Sequence, residues 1–260
     1  MQPNTEKLPI LLKLLKLSQT AKLWKDKESE AVDKGWSYSL YLKALCEEEA
    51  ADRYHKRTQR YIRESHLPPA KTLSSFNFLA AETIKKSQIE DFSSQTDWIN
   101  QSKNLLFFGA SGVGKTHLAA AIGYSLIEKD VRVKFVTAME IVQSLQKAQK
   151  ELGLIEALSK LDKFRLLIID DIGYVKKSEQ ETQVLFELIA HRYESGSLII
   201  TANQPFSERD SIFSDSMMTV AAIDRVAHHA TIIQCNDESF RKKCASENND
   251  QQKIKRKTTA

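Results

Sequence analysis

Gly109-Ala110-Ser111-Gly112-Val113-Gly114-Lys115-Thr116 matches G-x-x-x-x-G-K-[ST] at every fixed position. The flanking residues restrict the fold further: an apolar run at 105–108 leads into the loop and a helical stretch at 117–128 leaves it. Strand, glycine-rich turn and helix in that order open a parallel α/β sheet of the P-loop kind. Glycines at 109, 112 and 114 let the backbone curl so that its N–H groups face inward toward phosphate oxygens. The start of the helix adds partial positive charge. Lys115 is expected to reach the β- and γ-phosphates and the Thr116 hydroxyl to ligate magnesium, with His117 close behind. The expected ligands are ATP and Mg2+.

The rest of the C-terminal part alternates in the same way. Short apolar runs at 105–108, 131–136, 166–169, 198–201 and 231–234 lack polar alternation, as strands buried on both faces do. Thr137 with Glu140 and Ser178 with Glu181 have capping-box spacing for two helix starts. Leu166-Leu167-Ile168-Ile169-Asp170-Asp171 delivers two carboxylates to the end of a strand, where ligands bind in open α/β sheets. Asp170 is expected to hold magnesium through its water shell and Asp171 to orient and polarise the attacking water. Asn203, at the end of the 198–201 run, fits a contact to the γ-phosphate or the lytic water, and fits a turn-forming role as well. Arg225 fits either an arginine that reaches a neighbouring subunit's phosphate or an ordinary surface ion pair. His228 and His229 are adjacent, so they do not share a helix face, and a place near a helix C-terminus suits them better than metal binding.

Residues 8–66 read as helical, with Gly35 as the main interruption and Pro68-Pro69 as the stop. The apolar run at 8–17 is broken by Lys13 and Lys16 and falls short of the roughly 20 residues a bilayer requires, so a first packing helix is expected. No membrane association and a cytoplasmic location are the matching expectations. Cys46, Cys235 and Cys244 have no metal-ligand spacing and suit reduced thiols. Arg53, Lys56, Arg57, Arg60 and Arg63 fall within an arc of roughly 120° on a helix. Such a row can follow a phosphate backbone, and it equally fits a solvated helix face. Tyr54, Tyr61 and Ile62 lie off the arc and are expected to face inward. A net charge of +4 supports a polyanion partner only weakly. The expected organisation is an all-helical domain at 1–68, a connector at 69–102 that docks on the next domain, an ATPase domain at 103–247 and a basic tail at 248–260.

Taken together, these motifs resemble the IstB family, ATPases encoded beside the transposase in certain bacterial insertion sequences. These are relatives of DnaC-type helicase loaders within the AAA+ ATPases. The resemblance spans nearly the whole chain. It rests on Phe76-Asn77-Phe78, the P-loop with Lys115-Thr116-His117-Leu118-Ala119, and Leu167-Ile168-Ile169-Asp170-Asp171-Ile172-Gly173-Tyr174. It continues through Thr201-Ala202-Asn203-Gln204-Pro205-Phe206, Asp224-Arg225-Val226-Ala227-His228-His229 and Glu238-Ser239-Phe240-Arg241. The resemblance implies an ATP-dependent homo-oligomer that wraps or deforms double-stranded DNA, helps choose the target and activates its transposase. It also implies Asn203 as sensor, Arg225 as the finger acting across subunits and Arg241 as a second phosphate sensor. Many AAA+ proteins have Glu where this chain has Asp171. The shorter side chain withdraws its carboxylate by about one methylene, which suits slow hydrolysis and a switch that stays ATP-bound on DNA; fast basal turnover would refute that hypothesis.

Other readings share these features. A helicase loader is the same engine with a different client. A small-molecule kinase shares the P-loop but needs an acceptor pocket and an arginine-rich lid, neither of which is evident. A DNA-binding protein with a purely structural nucleotide site is the third.

Overall fold

The computed structural model describes residues 7–173, 179–193, 195–204, 230–237 and 239. The chain divides into two compact units, Met1–Arg60 and Tyr61–Ala260. The division falls before the Pro68 stop, inside a helix.

The first unit contains α1 (Leu8–Leu14), α2 (Thr20–Asp33) and most of α3 (Tyr38–Ser65). The long helical region is therefore broken twice. Gly35, at φ 62°, follows the end of α2, and Lys16, at φ 57°, follows α1. Trp24 and Leu45 are buried, and the Tyr41 hydroxyl donates to the Trp24 carbonyl at 3.1 Å. Glu49 on α3 is buried and accepts from the N–H groups of Gln19 (2.9 Å) and Thr20 (3.0 Å), capping α2 from a distance. These bonds hold its carboxyl below the usual carboxylate range, against the opposing effect of burial.

The expected first helix forms and packs on α2, with Leu8, Pro9 and Leu12 half-buried, but none of its residues is fully buried and Ile10, Leu11 and Leu14 are exposed. Periodicity identified an apolar face but not how much of it is covered. Tyr54 and Ile62 are likewise exposed rather than turned inward, whereas Tyr61 packs against the core of the second unit.

The second unit is a five-stranded sheet in the order β2-β3-β4-β1-β5, parallel at every pairing. The strands are β1 (Asn104–Gly109), β2 (Val133–Thr137), β3 (Leu166–Asp170), β4 (Ser197–Ala202) and β5 (Ala230–Cys235). The expected α/β parallel-sheet P-loop fold is what forms. Strand alternation sorts the apolar runs onto two faces. Leu105 and Phe107, Leu166 and Ile168, and Ile199 meet α4 (Lys86–Ser94), α5 (Asp97–Asn100) and α6 (Lys115–Ile127). Leu106 and Phe108, Leu167 and Ile169, and Leu198 and Ile200 meet α7 (Ala138–Lys150), α8 (Leu154–Leu161) and α9 (Glu179–Arg192).

The Thr137–Glu140 capping box forms at the start of α7. Ser178 of the second expected box lies outside the described residues. Val131 was expected to open β2 but instead donates its N–H to Leu126 at 3.0 Å, closing α6. Among the described residues, no helix is long and apolar enough to cross a membrane.

Candidate functional site

β1 runs into the glycine loop, and α6 starts at Lys115. Gly109 has φ 143°, and a Cβ there would overlap the Cys235 carbonyl oxygen of β5. Gly114 has φ 100°, and a Cβ there would lie 2.6 Å from the Phe76 ring. Glycine is thus required at both positions by neighbours outside the loop as well as by the turn. Lys115 is buried, and its ammonium donates to the carbonyls of Gly109 and Ala110 at 2.7 Å each, which keeps the charge inside the curve of the loop. Burial pushes the neighbouring Cys235 thiol up to about 12, so it stays protonated and is no nucleophile.

Alternation also explains how the carboxylates arrive. Asp170 continues the Leu166–Ile168 face of β3 and Thr201 the Ile199 face of β4, so both point toward the start of α6. There the Thr116 hydroxyl lies against Asp170, 2.9 Å from Oδ1 and 3.2 Å from Oδ2. The Thr201 hydroxyl donates to Asp170 Oδ1 at 2.6 Å and accepts the Asp171 N–H at 2.8 Å. The Thr201 carbonyl takes the Ile172 N–H at 2.9 Å. These bonds hold Asp171 at φ 63°, a left-handed conformation that Asp tolerates better than most residues. Asn203 Nδ2 donates to Asp171 Oδ1.

A hydroxyl and a carboxylate in contact suit a magnesium ion that keeps several waters and takes its remaining ligands from phosphates. Among the described residues no group of three or more His, Cys, Asp or Glu side chains could hold a metal ion.

These groups line one cavity of about 340 Å3, together with Ser111, Gly112, Val113 and His117. The segment 71–81, a strap beside the loop, also lines it, through Lys71, Ser75, Phe76, Asn77, Ala80 and Ala81. Sequence reasoning missed Thr201 and the strap as parts of this site. For Thr201 the available signal was its place two residues before Asn203 on one strand face. For the strap it was only the Phe76-Asn77-Phe78 cluster.

Thr201→Val keeps the shape and removes the hydroxyl, leaving the Asp171 N–H without its partner. A stability loss of about 1–3 kcal/mol is expected. The magnesium concentration that half-saturates phosphate release should rise about tenfold. Thermal melts and a magnesium titration read the two effects separately.

Of the basic row on α3, Arg53, Lys56, Arg60 and Arg63 are exposed and Arg57 is half-buried. Arg53 pairs with Glu49 at 3.0 Å and donates to the Lys16 carbonyl at 2.8 Å. Lys56 pairs with Asp52 at 2.6 Å. Arg53 and Lys56 are therefore engaged within the first unit, and no residue of the row lines the cavity. Arg225, Arg241, His228, His229 and Cys244 lie outside the described residues.

The family model described as "IstB-like ATP binding protein" matches residues 10–248. The chain belongs to this IstB-like family. An insertion sequence ATP-binding protein of Sinorhizobium fredii is 48% identical over 93% of this chain and 81% of its own length. A counterpart named for insertion sequence IS5376 of Geobacillus stearothermophilus is 35% identical over 87% of this chain and 90% of its own. Among solved structures, the DnaC helicase loader aligns with TM-score 0.53 at 23% identity, covering 68% of this chain and 99% of that one. A DNA replication initiation factor aligns at 0.56 and 19%, covering 72% and 56%. At these identities the structural likeness speaks to the fold alone.

Proposed function

We propose that the chain is an ATP-dependent helper of insertion-sequence transposition. It binds ATP with magnesium in the cavity, assembles as a homo-oligomer on double-stranded DNA, directs or activates a cognate transposase, and hydrolyses ATP to ADP and phosphate. The observation that carries this reading is the convergence of loop, Thr116–Asp170 pair and Asp171–Asn203 pair on one cavity in a member of a family described as ATP-binding.

Bound magnesium would neutralise charge that develops on the β- and γ-phosphate oxygens. The loop N–H groups and the start of α6 hold the phosphates, and the Lys115 ammonium exchanges its two carbonyl partners for phosphate oxygens. Thr116 and Asp170 would hold the metal, and Thr201 orients Asp170. The Oδ2 edge of the Asp171 carboxylate orients the attacking water and draws its proton. Asn203 fixes the Oδ1 edge, and so acts on the water through Asp171. Arg225 of a neighbouring subunit stabilises transition-state charge and Arg241 senses the phosphates. The exposed cations of α3 follow the DNA backbone. Residues 1–68 form the DNA- and partner-binding part, and the protein works in the cytoplasm.

Electron microscopy of the purified protein with duplex DNA tests this reading. Ordered filaments or rings that need ATP support it. Assemblies indifferent to ATP, or no assembly in any nucleotide state, overturn it.

A further inference from the structure

We propose that His117 is a positioning residue: through one N–H it pins the strap 71–81 against the phosphate loop, and the strap's placement sets how tightly the nucleotide is held. The inference rests on the reading of the cavity as an ATP site. His117 Nε2 lies 2.9 Å from the Thr72 carbonyl and 3.2 Å from Ser75 Oγ. A carbonyl can only accept, so Nε2 carries the hydrogen. The Ser75 hydroxyl donates toward the carbonyls of Ala70 (2.8 Å) and Thr72 (3.0 Å) and accepts from the Thr72 N–H (3.0 Å) and hydroxyl (3.1 Å), so the Thr72 carbonyl is the main partner of the imidazole N–H.

The ring then meets Phe76 edge-on, with centroids 5.2 Å apart and planes at 79°. Phe76 is the residue that forbids a Cβ at Gly114. His117, Phe76 and Gly114 thus form one contact chain from the strap to the loop. The other end of the segment is fixed independently. Thr83 donates its N–H and hydroxyl to the Asp237 carboxylate just beyond β5, at 3.0 and 2.6 Å.

A cavity-lining strap held at two points cannot shift freely at its centre. His117 is the anchor on the phosphate side, one residue after the hydroxyl that would face magnesium. His117 thus ties the strap to the first turn of α6, the turn that carries Thr116. The sequence pattern places His117 among the phosphate-contacting residues. The geometry instead turns its Nε2 edge to the strap.

The test compares His117→Phe, which keeps a ring against Phe76 but loses the donor, with His117→Gln, which keeps an N–H donor. Both are made in the full chain. The readouts are the KM and kcat for ATP and the rate of tryptic cleavage after Lys71. His117→Phe is expected to raise KM about five- to tenfold, the worth of one hydrogen bond, with a much smaller change in kcat. Cleavage after Lys71 should accelerate by a similar factor, and His117→Gln should recover most of both losses. A His117→Phe variant indistinguishable from the parent in KM and cleavage overturns the proposal, as does a His117→Gln variant equally impaired. If the parent protein binds no ATP, the reading of the cavity fails instead. Cleavage of the nucleotide-free proteins then judges the anchor alone: faster cutting in His117→Phe supports it, and equal rates overturn it.

Discussion

Lys115→Ala is expected to weaken ATP binding by about 100-fold or more and to abolish ATP-dependent assembly on DNA. The ammonium is buried inside the loop and reaches its concave side through two 2.7 Å bonds to loop carbonyls. A charge so placed makes charge-assisted bonds to phosphate oxygens, which are roughly twice as strong as neutral ones. Lys71 also lines the cavity, but it belongs to the strap and not to the loop, so it does not replace a cation held inside the loop's curve. The fold should survive, because the loop's shape is imposed by Gly109 against β5 and Gly114 against Phe76, which the substitution leaves in place. Titration with ATP and magnesium reads the loss, and a thermal melt shows that the chain remains folded. If the variant still assembled on DNA in response to ATP, the nucleotide site would be structural and the proposed engine would be wrong.

Asp171→Asn should separate binding from hydrolysis. The amide can adopt the same left-handed backbone, keep the N–H bond to Thr201 and accept from Asn203 through its oxygen. It lacks the negative charge that the proposed mechanism uses to orient the water and accept its proton. Single-turnover phosphate release is expected to fall by about 100- to 10,000-fold, with ATP affinity changed only a few-fold. Assembly on DNA should persist and outlast that of the parent. A variant that hydrolyses ATP at the parent rate would remove Asp171 from the mechanism and move the base elsewhere.

The parts of this site that were legible in the sequence are those whose chemistry requires particular residues at short spacing. The glycine loop, Lys115 and Thr116 are contiguous, and Asp170 follows an apolar run that can only be a buried strand here. Strand faces were legible for the same reason, since β1, β3 and β4 are apolar except near their ends. What escaped depends on contacts between residues far apart in the chain. Thr201 reads as an ordinary β-branched strand residue. Its role exists only because β4 lies between β1 and β3, placing its hydroxyl against an acid 31 positions away. The strap escaped because nothing local shows that Phe76 sits against Gly114. Asn203 lines the cavity, and its amide bonds to Asp171, a partner that the sequence did not indicate. The exposed aliphatics of α1 illustrate the converse: a helical apolar pattern specifies a face, and only packing decides whether it is covered.

Calorimetric titration of ATP into the full chain, with magnesium and then with the metal chelated, bears most directly on the account. It predicts a single saturable site that weakens when magnesium is removed and weakens by about 100-fold or more in Lys115→Ala. Absence of any binding heat for every nucleoside triphosphate offered with magnesium would contradict it.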